Sequence, residues 1–368
     1  MSSIRSRMPA LAMATLAVAA CSGSPSSATT APSAAALSSA TAGGSTDPSS
    51  VPSSAGISVA PLDGQIVFED VGKDFAYTQI WIENADGSNV RKLVSDDFTD
   101  GGAALSPDGR QVVFTRILTL SLEEALADPR LIDQILVVNV DGTDLHRIET
   151  GPATRCGDGV AGDAWSPDGR RIAFERFCFD ASANFVESGI WTANADGTAA
   201  IRATKTTLSS HTEDHRAGWS PDGKRLAFAR IDTSVSPERS AIFTVAIDGT
   251  DLQQVTDWSL DANDPDWSPD GSLIVFNSPA EPAVEQNIYT IHPDGTGPTE
   301  LTTYSEMGQG TYHPSWSPDG TQILFSHSPA TGGWADFFVR DRDGSDLHAV
   351  ARTDMHENHG FWGPDPSP

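Results

Sequence analysis

With 15 Phe, 9 Trp and 32 Gly spread over 368 residues, the chain is long enough to bury a sizeable core. Its 23 Lys and Arg stand against 50 Asp and Glu, a formal net charge of −27. Such a surface repels phosphate backbones and anionic lipid, so nucleic-acid binding is not expected and cationic partners are favoured.

In chain order, residues 1–20 have the pattern of a secretory signal. Arg5 and Arg7 precede a small-residue apolar run, Pro9 to Ala20, too short for a membrane span. Val18-Ala19-Ala20-Cys21 resembles the lipobox of bacterial lipoproteins, which implies cleavage before Cys21 and a diacyl thioether on its sulfur. The alternative is an ordinary secretion signal next to an incidental Cys. Residues 21–55 are Ser, Ala, Thr, Pro and Gly with almost no large apolar side chain, the composition of a tether. The folded domain is expected over 56–368, held by lipid at the outer face of the bacterial cell membrane.

That domain repeats itself. Trp316-Ser317-Pro318-Asp319-Gly320 recurs from Trp165, Trp219 and Trp267, and from Leu105 with Leu for Trp, about every fifty residues. Each copy leads into a short apolar run ending in Phe114, Phe174, Phe228, Phe276 or Phe325. A second apolar strand then meets an Asp-Gly turn, at Asp86, Asp141, Asp196, Asp248, Asp294 and Asp343. About four strands per unit and six units predict an all-β, six-bladed β-propeller of four-stranded antiparallel blades. The first unit is degenerate at Ala60-Pro61-Leu62-Asp63-Gly64, and Phe361-Trp362 near the C-terminus repeats the strand it lacks. The C-terminal strand is therefore expected to close the ring, with Ile57 to Ala60 as the alternative. The Trp of each repeat is expected to pack between neighbouring blades.

Two units are longer than the others, both between their second and third strands. Ser121-Leu122-Glu123-Glu124 has capping-box spacing and predicts a short helix, whereas Phe179 to Ser188 is expected to be an irregular insert. Cys156 and Cys178 lie at the open ends of one predicted hairpin, so a disulfide is expected, with separate buried thiols as the alternative.

The loops entering the innermost strands collect the polar residues on one face. Three residues before the repeat Trp or Leu stand Gly102, Gly162, Arg216, Asp264, His313 and His359; His215, Tyr312 and Asn358 are among those one residue earlier. Innermost strands face a propeller's channel, so His215, Arg216, Asp264, Tyr312, His313, Asn358 and His359 are the candidate ligand-binding residues. Asp264, His313 and His359 are the candidate ligands for a divalent cation such as Ca or Mn. The alternative is that these side chains tie down loop backbone through local hydrogen bonds. No catalytic set stands out: Gly-x-Ser-x-Gly, His-Glu-x-x-His, Cys-x-x-Cys and a phosphate-binding Gly-rich loop are all missing from the sequence.

The Ser-Pro-Asp-Gly repeat, with its apolar strand and Asp-Gly-Thr/Ser turn, resembles the WD-like repeat of TolB-type propellers from Leu62 to Trp362. The resemblance implies a six-bladed ring, export, and an adaptor role toward the peptidoglycan-associated lipoprotein and other envelope proteins. The same repeat is similar to that of oligogalacturonate lyases, which use a channel-mouth metal; His215, His313 and His359 are the residues that match. The expected function is thus a monomeric envelope lipoprotein, more binder than enzyme, that recognises a protein, peptide or saccharide through its long-loop face. The alternative is a metal-assisted polysaccharide lyase or hydrolase.

Overall fold

The computed structural model describes residues 62–366 except 71–77, 95–97, 118–132, 151–155, 160–163, 180–184, 208–209, 281–284, 304–309, 328–334, 351–354 and 356. The signal, Cys21, the tether, Ile57 to Ala60, the capping-box segment at Ser121, Gly162 and His356 lie outside the described residues.

Six antiparallel sheets follow one another along the chain. Blade two comprises Thr99–Leu105, Gln111–Ile117, Gln134–Asn139 and His146–Ile148. Blade four comprises Thr212–Trp219, Arg225–Asp232, Arg239–Ala246 and Gln253–Gln254. Blade five comprises Asn263–Trp267, Ile274–Ala280, Glu285–Ile291 and Thr299–Glu300, and blade six Thr311–Trp316, Gln322–His327, Asp336–Asp341 and His348–Ala349. In blade one the innermost strand is the C-terminal Glu357–Gly363, laid against Gln65–Asp70, with Gln79–Asn84 and Arg91–Lys92 outside it. Ile66 pairs with Trp362 and Val67 with Phe361, so the last strand completes the sheet begun by the first. Ring closure by the C-terminus, anticipated from Phe361-Trp362, is what the structure shows.

Blade three departs from the four-strand expectation. Its sheet has five strands, because Thr206–Thr207 pairs with Phe185–Asn194 beyond Ile201–Arg202. The expected irregular insert after Phe179 is also corrected: Arg171–Phe179 and Phe185–Asn194 extend the hairpin, with Phe185 opposite Phe179 and Glu187 opposite Cys178. Continued backbone pairing satisfies N–H and C=O groups that a loop would leave to solvent. The innermost element of this blade is Cys156–Gly159, followed by a single bridge between Trp165 and Ile172. Cys156 sits directly opposite Cys178, and their sulfurs are bonded at 2.07 Å.

The repeat residues have one local job each. In Ser106-Pro107-Asp108-Gly109, Ser106 Oγ donates to Asp108 Oδ1 at 2.6 Å and accepts the Gln111 N–H at 2.9 Å, while the Gly109 N–H returns to the Ser106 carbonyl. The same set recurs at Ser166, Ser220, Ser268 and Ser317. Gly closes each turn at positive φ, 69° for Gly109, where other residues would be strained. The tryptophans pack between blades, as their spacing suggests. Trp219 is buried against Ala173 and Ile190 of blade three and donates its indole N–H to the Ala164 carbonyl at 3.1 Å. Trp316 makes the equivalent bond to Asp266 of blade five, whereas Trp362 bonds to Asp63 within its own blade, joining the two ends of the propeller sequence.

Blades two, three and four share a further device. Asp100 with Arg116, Asp158 with Arg176, and Asp214 with Arg230 tie the innermost strand to the second through paired guanidinium–carboxylate contacts. Each Arg lies two residues beyond the repeat Phe and packs over its ring at 5.8, 5.4 and 5.4 Å.

Candidate functional site

The innermost strands do not run straight. Register breaks fall between Gly101 and Ala104, His215 and Gly218, Asn263 and Asp266, and Tyr312 and Ser315, and one opposite Glu69 disturbs Glu357–Gly363. At each break the residue three before the repeat Trp or Leu adopts left-handed backbone: Gly102 at φ 65°, Arg216 at 60°, Asp264 at 51°, His313 at 52° and His359 at 47°. A bulge re-aims one side chain out of the alternation. Here it brings the Arg216, Asp264, His313 and His359 side chains of four successive blades to one cavity. Four of the five are not glycine, and each such conformation costs about 1–2 kcal/mol. Strain repeated at one position marks where the ring departs from simple scaffolding.

Gly102, Arg216, Asp264, His313 and His359 line one cavity of about 60 Å³, together with Asp266 and Phe361. A polar chain runs round its rim. Arg216 Nε is 3.1 Å from Asp264 Oδ1, and Asp264 Oδ2 is 2.9 Å from His313 Nδ1. The His313 and His359 rings stack with centroids 3.5 Å apart. His359 Nδ1 then lies 3.2 Å from Glu69 Oε2, and Glu69 Oε1 accepts the Gly102 N–H at 2.7 Å. On the other side of Arg216, Glu175 Oε1 accepts its backbone N–H at 2.7 Å, and Glu175 Oε2 is 3.1 Å from His215 Nδ1. Neither Nδ1 of the stacked pair completes a directed hydrogen bond, and His359 Nε2 is buried without one.

Charge settles unevenly around this rim. Burial by itself would raise the Asp264 carboxyl, but Arg216 and the two histidines hold it well below the usual carboxylate range. Burial, His359 and Arg216 push His313 down to about 4 despite Asp264. His313 is therefore neutral at pH 7, and Arg216 is the charge that keeps Asp264 ionised. Burial also opposes His215, yet Glu175 and Glu213 raise it to about 10, so it is a cation. Burial would raise Glu69 as well, but His359 and the Gly102 N–H hold it low. Asp266, which also lines the cavity, is pushed up by burial to about 7 although it accepts the Trp316 N–H at 2.9 Å.

Of the seven side chains expected to bind ligand, four line the cavity and three do not. His215 is locked between Glu175 and Glu213. Tyr312 leans over Gly310, where its hydroxyl leaves no room for a Cβ. Asn358 is buried opposite Glu69. These three stand one residue before the left-handed position, just ahead of the register break, and do not line the cavity. Sequence reasoning missed Glu69, Glu175 and Asp266. A signal existed: Glu69 and Glu175 each follow the repeat Phe inside an apolar strand, where the other units carry Thr115, Ala229, Asn277 and Ser326.

A family model described as the TolB beta propeller domain matches residues 154–367. The chain belongs to the TolB β-propeller domain family. Among solved structures it is similar to TolB from Acinetobacter baumannii, with a TM-score of 0.62 and 15% identity over 83% of this chain and 68% of that one. It is also similar to a putative TolB from Agrobacterium tumefaciens, with a TM-score of 0.56 and 19% identity over 82% of this chain and 92% of that one. An oligogalacturonate lyase in complex with manganese has a TM-score of 0.53 and 14% identity over 78% of this chain and 74% of that one. At these identities the likeness is one of fold. An uncharacterized protein of Agrobacterium fabrum is 27% identical over 159 residues, 43% of this chain and about half of that protein, at 47%.

The rim of this TolB-type propeller does not have the form of a metal centre. Among the described residues no group of three or more His, Cys, Asp or Glu side chains is arranged to hold a metal ion. The candidate set Asp264, His313 and His359, singled out by its shared place in the repeat, does come together. However, Asp264 is committed to Arg216 and His313, and the imidazoles stack face to face. Ring-nitrogen lone pairs lie in the ring planes, so stacked rings do not converge on one ion. What the rim offers instead is a charged and hydrogen-bonding surface over a cavity with room for only a few waters. No helix among the described residues is long and apolar enough to cross a membrane.

Proposed function

We propose that this protein is a cell-envelope lipoprotein, anchored through Cys21, whose propeller holds a partner across the channel mouth in a TolB-like adaptor role. The observation that carries the reading is the continuous rim Glu175–Arg216–Asp264–His313–His359–Glu69, built by four blades in addition to the one that starts it. Left-handed backbone in blades four, five, six and one holds Arg216, Asp264, His313 and His359 at the mouth, while the turns on the opposite face repeat the same residues. A scaffold that repeats everywhere except at one mouth is suited to recognition there. The cavity is too small to enclose a substrate, so a protein segment, peptide or saccharide would lie over it, meeting the part-exposed side chains of Arg216 and His359.

A photo-crosslinking residue placed at Tyr312 in cells, with a second placed at Asp294 on the opposite face, tests the reading. Discrete adducts from 312 that fall at least tenfold when Arg216→Ala and His359→Ala are combined support it. Adducts that appear equally from 294, or that ignore the double variant, refute it. Radiolabelled fatty acid incorporated into the wild type and not into Cys21→Ser tests the anchor independently.

A further inference from the structure

The ring is held shut at one seam, where Glu357–Gly363 zips onto Gln65–Asp70 and blade six packs against blade one. Glu83 faces that seam. It pairs directly with Ile66, and its same-face neighbours two residues away are Trp81 and Ala85. All three belong to the apolar cluster that joins blade one to Leu324, Phe337 and Val339 of blade six. Glu83 is 2% exposed, and neither of its carboxylate oxygens has a hydrogen-bond partner; the Trp81 indole N–H beside it is likewise buried and unpaired. The equivalent position carries Val138, Ala193, Val245 and Ile291 in blades two to five, so packing alone does not call for an acid.

The groups that face Glu83 do not neutralise it. From its own blade, Glu357 and Asp86 act on it as like charges. Lys92 lies across from Trp81, one pair further along, and does not pair with either oxygen. The blade-six side chains of the cluster are apolar, as is Val350 beyond them. A buried carboxylate with no partner is tolerated when neutral and costly when ionised.

We propose that the ring closes with Glu83 protonated, and that losing this proton loosens the seam between blades six and one. The propeller then has a proton-dependent latch beside the one blade whose strands come from both ends of the propeller sequence. Burial, with Glu357 and Asp86, pushes the carboxyl up to about 8, so the latch is set at neutral pH and released in alkali. The sign follows from linkage: with the folded pKa raised above 4.5, the stabilising contribution is full below 4.5 and is lost as pH rises through 8.

Hydrogen–deuterium exchange between pH 6 and 9.5, corrected for intrinsic rates, reads the seam directly. In the wild type, protection of 357–363 and 65–70 should fall by about tenfold per pH unit from pH 6 up to about 8, the slope of one proton, and level off above it. Strands Arg225–Asp232 and Arg239–Ala246, on the far side of the ring, should keep theirs. Glu83→Gln, and Glu83→Val as the residue used by blades two and four, should abolish the pH-dependent part. Seam protection that falls equally in the wild type and in whichever variant folds, or that does not fall in the wild type, overturns the proposal.

Discussion

Glu175 is the residue on which the rim's electrostatics can be tested most directly. It is 5% exposed, accepts the Arg216 N–H with one oxygen and lies 3.1 Å from His215 Nδ1 with the other. Glu175→Gln keeps an oxygen for Arg216 but removes the charge beside His215. At an effective dielectric constant of about 20, an ion pair 3.1 Å apart is worth about 5 kcal/mol. Each pKa unit corresponds to about 1.4 kcal/mol, and the remaining Glu213 is at 3.4 Å and more exposed. His215 should therefore titrate below about 8 in the variant rather than near 10. Two-dimensional NMR of the imidazole resonances measures this.

Stability should follow with a definite sign. The folded pKa of His215 is raised, so its contribution is full below about 6.5 and is lost as pH rises through 10. Losing the charge should cost about 3 kcal/mol at pH 7, or about 6 °C in Tm for a domain of this size. The gap between wild type and variant should then narrow between pH 8 and 10. Glu175→Ala should cost about 1–3 kcal/mol more, because it also strands the buried Arg216 N–H. If His215 still titrates near 10 in Glu175→Gln, or if the Tm gap is the same at pH 7 and pH 10, the account of the rim is wrong.

Arg230→Ala should destabilise the fold by about 3–5 kcal/mol by leaving the fully buried Asp214 carboxylate without its guanidinium, whereas Asp214→Leu combined with Arg230→Met should cost clearly less; denaturant unfolding of the three variants makes the comparison. Truncation before Glu357 removes the strand paired to Gln65–Asp70 together with Trp362, so urea unfolding should lose its single cooperative transition; an unchanged transition would mean the ring does not depend on its last strand.

How much of this was legible beforehand depended on whether a residue's task was local. The Ser-Pro-Asp-Gly turn spells out its own hydrogen bonds, because Ser317, Asp319 and the Gln322 N–H all lie within six residues of one another. Blade number, turn positions and the role of Trp219 between blades followed from that period. The second strand of blade three did not, since Phe179 and Phe185 look like loop residues until their pairing is seen. Choosing the four cavity-lining residues from seven candidates required the bulge. A bulge is set by how two strands slip against each other, which no single strand's pattern contains.

By itself, then, the sequence determined a six-bladed ring and narrowed its closing strand to two candidates, because each blade is built largely from contacts within about fifty residues that the repeat writes out again and again. The pairing of Ile66 with Trp362 that chose between them is long-range. Tertiary structure alone decided which polar groups meet. Glu69 finds Gly102 and His359, Glu175 finds Arg216, and Glu83 is buried at the seam because neighbouring blades bring together residues far apart in the chain. Electrostatic coupling and burial depend on distances in space, and those exist only once the ring has closed.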